Sequence, residues 1–553
     1  MKRVNILKVT LLLWSVLFLL PQLSYSQDFI ELLEGSDEIK LDGKTGNYIV
    51  KGNVVFKKDN TLLYCDSAFY NFKQKNIRAY GKIHLNQEDT LNMFCDSLFF
   101  DVDRDYAKLF GNVRIRNNEY RLTTDSIDYD LNRDVGIYKN KGLITSISSN
   151  DSLSSVIGYF YPKLNQFNFR NDVVYKNEEY LITTDTLQFN SLSKVAYFFG
   201  PTDILGDSIK MYCEKGWYDI NKGIGLFENN AFIDRKELYI GADSLYYSSI
   251  DSLYIGQKNV EIIDTTNKIA FTGDYALSDE KENYAFITGH TLAKRFDSED
   301  TLYIHADTLY NYLDSLREPV LMKAYYNVKL FRGDMQGVCD SLTYNRTIGE
   351  MNMYKEPVLW AKNAQLTGDT VTIYEENNEI QHAFLRNNGL VVTHVDSTNY
   401  YNQVAGTSMN AYFDSTQIRR VDIEGNAQTI YFLEDETEDD SLIVVERKGM
   451  NRLYASDITL RFDKGDIETA TYRESPDGLL YPMNQIEKKE ERVQHFKWSN
   501  ERRPLSWQHM IYTEDEIRIF LKFYRNLMLF KPIEITENKV EEAEVSIEEV
   551  EEK

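Results

Sequence analysis

Proline is scarce, with 9 residues in 553, and glycine stops at 28. Such a chain is neither collagen-like nor a flexible linker. Basic side chains are in deficit: 62 Lys and Arg against 86 Asp and Glu leave a formal charge of -24. An acidic surface of this kind repels phosphate backbones instead of releasing their counterions, so nucleic acid is excluded as a partner. The seven histidines (His84, His290, His305, His382, His394, His495 and His509) show no metal-ligand spacing. Neither Gly-x-Ser-x-Gly nor His-Glu-x-x-His occurs, and no glycine loop suits a phosphate. No catalytic residue, metal or cofactor is therefore expected, and the protein is not read as an enzyme. Beyond the N-terminal segment no apolar run is long enough to cross a membrane as a helix. What is plentiful is aromatic: 39 Tyr and 29 Phe, in a chain that is 42% hydrophobic and 27% charged. That composition supports a buried core and favours strands.

Lys2, Arg3 and Lys8 precede an apolar run from Val9 to Leu20, followed by Pro21 and the small-x-small ending Ser24, Tyr25, Ser26. This is the layout of a cleaved secretory signal over residues 1–26. No cysteine stands at the cut, so a lipid anchor is not expected there. The competing reading, an uncleaved anchor, meets a run short of the ~20 apolar residues a spanning helix needs.

The rest of the chain repeats. An Asp-Ser/Thr-apolar phrase begins at Asp66, Asp96, Asp125, Asp185, Asp243, Asp307, Asp340 and Asp369, in steps of 30, 29, 60, 58, 64, 33 and 29 residues. The long steps are double, with degenerate copies at Ser154, Glu214 and Asp274. A second phrase interleaves with the first, as in Gly52-Asn53-Val54, Gly81-Lys82-Ile83, Gly111-Asn112-Val113 and Gly425-Asn426-Ala427. About thirteen copies of ~29 residues form one array over about residues 45 to 465.

Within each copy the hydrophobic period is two, a strand signal. Positions -5, -3 and -1 from the Asp are apolar or small, as in Leu91, Met93 and Cys95. Positions +2 and +4 are apolar: Leu98 and Phe100, Ile127 and Tyr129, Leu187 and Phe189, Leu245 and Tyr247, Leu342 and Tyr344. The inward phase slips by one residue at the Asp. A straight strand would then turn its second half outward, so the chain must bulge or bend there for both halves to face one interior. The expectation is an all-β, extended, V-shaped jelly-roll with two bent strands per copy and these ten side chains lining the inside.

Cys65, Cys95, Cys213 and Cys339 all occupy the -1 slot that elsewhere holds Thr124, Thr184, Ala242, Ala306 or Gly368. They read as small inward residues. Even the nearest pair would stand two strand spacings apart, about 9.6 Å, beyond the ~7 Å limit for a bridge. The recurrent Asp residues read as bend formers, since Asp followed by Ser or Thr can bond backbone groups left open at a bend.

After residue 475 the pattern fades. Residues 476–533 read as a polar linker and a short amphipathic element. Thr513 and Glu516 resemble a capping box ahead of Ile517, Phe520, Leu521, Tyr524, Leu527 and Met528 at helical spacing, while Ile517, Ile519, Leu521 and Phe523 alternate as a strand would. Residues 534–553 carry nine Glu against two Lys and read as a disordered acidic tail.

The Gly-Asn-Val and Asp-Ser-Leu/Ile register over residues 27–475, opening at Gly52-Asn53-Val54-Val55-Phe56 and Cys65-Asp66-Ser67, resembles the OstA-like family. That family comprises the periplasmic lipopolysaccharide-transport proteins of the LptA type and the N-terminal domain of the LptD type. The resemblance implies a periplasmic, non-catalytic carrier that shields the acyl chains of lipopolysaccharide or a related glycolipid, and it allows association with the outer membrane. It implies other transport proteins as partners through exposed end strands, and allows end-to-end self-association. This array is longer than one ordinary bridge unit, and nothing resembling the LptD barrel follows it. Two other readings of the residues stand beside the carrier: a structural or adhesive rod with a filled core, and an outer-membrane β-barrel.

Overall fold

The computed structural model describes residues 30–512, apart from short breaks at 88–89, 162–163, 297–299, 334, 378, 396–398, 415–416, 440–441 and 464–465. The signal segment, the Thr513–Met528 element and the acidic tail lie outside the described residues. The chain divides into two compact units, residues 1–228 and 229–553. Its 36 described strands pair antiparallel, mostly with the next in sequence and otherwise with a strand two or three along.

In the first unit, strands Asn47–Lys58, Thr61–Asn71, Asn76–Gln87, Leu91–Asp101, Tyr106–Arg116 and Tyr120–Asp130 form a meander of 11- and 12-residue strands. Every pairing shifts register once, near the middle, as between Lys51 and Val54 against Ser67 and Cys65. The shift bends each strand into two arms. We call the arm holding positions -5 to -1 the first arm and that holding +2 onwards the second. In some copies the chain separates them outright: Tyr120–Asp130 pairs through its first half with Gly142–Ser146 and through its second half with Val135–Tyr138. Glu350–Tyr354 and Val358–Ala361 divide Met335–Asn345 in the same way in the second unit. Two facing layers built from shared, bent strands are a β-jelly-roll.

The extra residue lies on the Gly-Asn strand, where two residues oppose one Asp, and this refines the expected bulge at Asp-Ser. Gly111 has φ +75° and Asn112 φ 46°, both left-handed. The Asp96 carboxylate fills the recess: it accepts a 2.7 Å bond from the Asn112 amide, and a Cβ on Gly111 would meet it at 2.6 Å. Asn259 to Asp243, Asn327 to Asp307 and Asn388 to Asp369 repeat the bond. The Asp thus serves the next strand's Asn, where bonding to local backbone was expected. The array also starts earlier than the phrases suggest, because Glu38–Asp42 pairs with Asn47–Lys58 and Asp37 faces Gly52.

In the second unit the polar segment after Pro482 packs on the outer face of the first arm. Gln403 donates to Glu491 O and accepts from Val493 N, and Gln365 does the same with Lys497 O and Ser499 N. Further along, Arg503 donates to Gln336, and Trp507 stacks on Tyr303 at 5.5 Å. Val493 seals an apolar cluster with Leu390, Val392, Phe432 and Met450. The expected linker is a packed strap over residues 483–512.

Candidate functional site: the interior between the arms

Cross-strand register assembles the expected wall from strands far apart in sequence. In the second unit one row runs Leu245, Gly256, Ala276, Ile287, Leu309, Ala324, Leu342, Met353, Val371, Leu385, Met409, Ile423, Ile458, each paired with the next. No polar side chain interrupts it. In the first unit Phe100, Ala107, Tyr129, Gly136, Phe160, Phe167, Phe189 and Ala196 form the row nearer the turns. Large rings share that row with Ala107, Gly136 and Ala196, and a Cβ on Gly136 would stand 3.1 Å from Tyr129.

Leu98, Phe100, Ile127, Tyr129, Leu187, Leu245, Leu342 and Tyr344 are buried, and Phe189 and Tyr247 are half-buried. The first arm's Cys65, Cys95, Cys213 and Cys339 are free and buried, and burial pushes each thiol up to about 12. The Asp residues lie apart from this wall: Asp66, Asp96, Asp125, Asp185, Asp307 and Asp369 are exposed along the bend, and Asp243 and Asp340 are half-exposed. Among the described residues no group of His, Cys, Asp and Glu could hold a metal ion.

The arms pack on one another. Among the described residues, the hollows between them include one of ≈ 40 Å³ beside Phe167, Tyr175 and Phe189 in the first unit and one of ≈ 50 Å³ beside Phe271, Ile304, Met322 and Tyr344 in the second. Each has room for little more than a water or two, far below the volume of an acyl chain.

Opposite the bend, the turns closing the first arm and those closing the second form two lips. Inward-pointing charged side chains cross between them. Lys58, on the first lip, is 5% exposed and donates 2.7 Å to Val102 O while pairing with Asp105 on the second lip. In the second unit Arg295 and Arg332 end first-arm strands, and Glu375 ends a second-arm strand. Arg295 pairs with both Glu375 oxygens and donates 2.6 Å to the Tyr344 hydroxyl, which donates 3.0 Å to Glu375; Arg332 stands 3.8 Å away. Burial alone would raise the Glu375 carboxyl, but the Arg295 hydrogen bond and charge hold it below its usual range. Burial pushes Tyr344 up to about 12. A third crossing joins Arg235 to Glu280 at 4.0 Å and to the Tyr254 hydroxyl. Apart from Tyr344, sequence periodicity singled out none of these residues, because it records where apolar residues recur and a charge at a strand end reads as solvated.

Residues 29–185 match the model of the OstA-like protein family. That stretch is similar to OstA-like proteins. It is the resemblance carried by the Gly-Asn and Asp-Ser register, and the OstA-like stretch lies within the first unit. Among solved structures, LptH, the LptA homologous periplasmic component of the conserved lipopolysaccharide transport device from Pseudomonas aeruginosa, is similar at 14% identity, covering 27% of this chain and 95% of its own, with a TM-score of 0.20. No curated protein matches.

Proposed function

We propose that the protein is a non-catalytic periplasmic carrier whose interior shields the acyl chains of lipopolysaccharide or a related glycolipid on the way to the outer membrane. One observation carries the reading: an inward row of thirteen residues without a polar side chain, from Leu245 to Ile458, along one of the two facing arms of the bent strands. Hydrocarbon moved from water onto such a surface gains about 25 cal/mol per Å². The OstA-like match over residues 29–185 supports the same class, a family of transport proteins and not of enzymes. The row of bend aspartates is the structural part of this design, and other transport proteins would meet the chain through its end strands. Residues 1–26 would export it as a cleaved signal, leaving 27–475 as the carrier array.

The test is photocrosslinking in cells from a benzophenone side chain at Phe189 and at Tyr247. Adducts of lipopolysaccharide at both positions are expected. A second reading, a rod with a filled core, is favoured by the ≈ 40 and ≈ 50 Å³ hollows. It predicts adducts within the chain alone, and that result would remove the carrier.

A further inference from the structure

Each unit holds its arms together where a lipid would have to pass. A side chain at a strand end ordinarily reaches water, yet Lys58, Arg295 and Arg332 turn inward beneath the lips and are buried. Burying charge costs several kcal/mol per ion unless a well-placed partner offsets it, so apolar residues would close these positions at least as well. Ion pairs differ from an apolar seam in one respect: once the lips part, water solvates both halves, and the open state regains what burial withheld.

We propose that these crossings are latches: Lys58 with Asp105 and Val102 O in the first unit, and Arg295 and Arg332 with Glu375 and Tyr344 in the second, each opening to admit an acyl chain and reclosing behind it. The inference rests on the carrier reading and adds to it the place and chemistry of admission. The latched hollow supports that place, for Arg295 and Tyr344 line it together with Phe271, Leu302, Ile304 and Met322. Opening the Arg295 crossing would extend this hollow along the apolar row through Leu342. The ligand is an amphiphile with a long acyl chain, and its anionic head would meet the released guanidinium of Arg295 at the lip.

The test measures association of a fatty acid carrying a dansyl group with the full chain by stopped-flow fluorescence. Two variants weaken one latch each: Lys58→Met, which keeps the aliphatic stem, and Arg295→Met with Glu375→Gln, which removes one charge of each sign. Lys51→Met, which removes an exposed cation away from both latches, serves as the control. Both weakened variants should bind the probe about tenfold faster, the factor equivalent to ~1.4 kcal/mol, with the control near the parent rate. A purely structural role would lower the melting temperature and leave the association rate unchanged, and that result overturns the latch. If one variant fails to fold, the other decides, since each latch lies within its own unit. If neither the parent nor any variant binds the probe, the carrier reading falls and the latch with it; binding at an unchanged rate rejects the latch alone.

Discussion

The pairing of Asp96 with Gly111 and Asn112 makes the repeated phrases physically intelligible. Glycine is required at 111 for two reasons, its φ of +75° and the carboxylate 2.6 Å from where a Cβ would stand. Gly111→Ala should therefore cost about 1–3 kcal/mol. Gly43→Ala, where a Cβ meets nothing within 4 Å, should cost less than 1 kcal/mol or stabilise slightly. Paired denaturant melts measure the difference, and equal losses would refute the recess. The cysteines give a second prediction at this scale. Burial pushes their thiols up to about 12, well above the ordinary range of a free thiol. A raised acid group contributes stability that is present below pH 9 and lost as pH rises toward 12, because the unfolded chain releases those protons first. Alkaline melts should show stability falling from pH 9 upward, and replacing all four by Ala should flatten that fall. A native thiol assay at pH 8 should find none reactive, against four after unfolding.

Among the elements, the strap over residues 483–512 was the least legible in sequence. Its backbone is received by Gln365 and Gln403, which occupy outward positions where a glutamine reads as ordinary surface. A primary amide offers a donor and an acceptor side by side and so can mimic a strand's peptide edge. Gln365→Ala with Gln403→Ala leaves Lys497 O, Ser499 N, Glu491 O and Val493 N without these partners, at about 1–3 kcal/mol per buried group. Limited proteolysis should cut within 483–512 much faster in the double variant. The fully buried Trp360, which packs with Val338 and Val358 on the outer face, should shift its emission to the red. Unchanged cleavage would mean that apolar contacts alone hold the strap. The bent strands, by contrast, could be read directly, since period-two alternation interrupted by a fixed phase slip has few other geometric solutions.

At the scale of the whole molecule, an acidic chain and an apolar interior make opposite demands on an anionic glycolipid. The formal charge of -24 repels its phosphates, while the inward rows attract its acyl chains. Affinity should follow the chains: intact lipopolysaccharide should compete with the dansyl fatty acid, and deacylated lipopolysaccharide should not. Equal competition by the deacylated form would reject acyl shielding even with the fold unchanged. Leu187→Asp should weaken probe binding by the several kcal/mol that an unpaired charge costs in a dry site, read as a shift in the binding isotherm of the folded variant.

The repeat register by itself determined the β class, the two-armed strand, the inward ladder and the small -1 slot of the cysteines, because each is a local periodicity of 2 or ~29 residues printed many times over. Three matters were decided only in the tertiary structure. Which Asn meets which Asp depends on pairing 16 to 20 residues apart. The strap depends on contacts between residues far apart in sequence, from Gln403 with Glu491, 88 positions away, to Arg503 with Gln336, 167 positions away. The lip crossings depend on a fold that brings Arg295 to Glu375, 80 positions away. A single charged residue at a strand end carries no periodic signal, and only closing the two arms onto one another turns it from a solvated terminus into a buried partner.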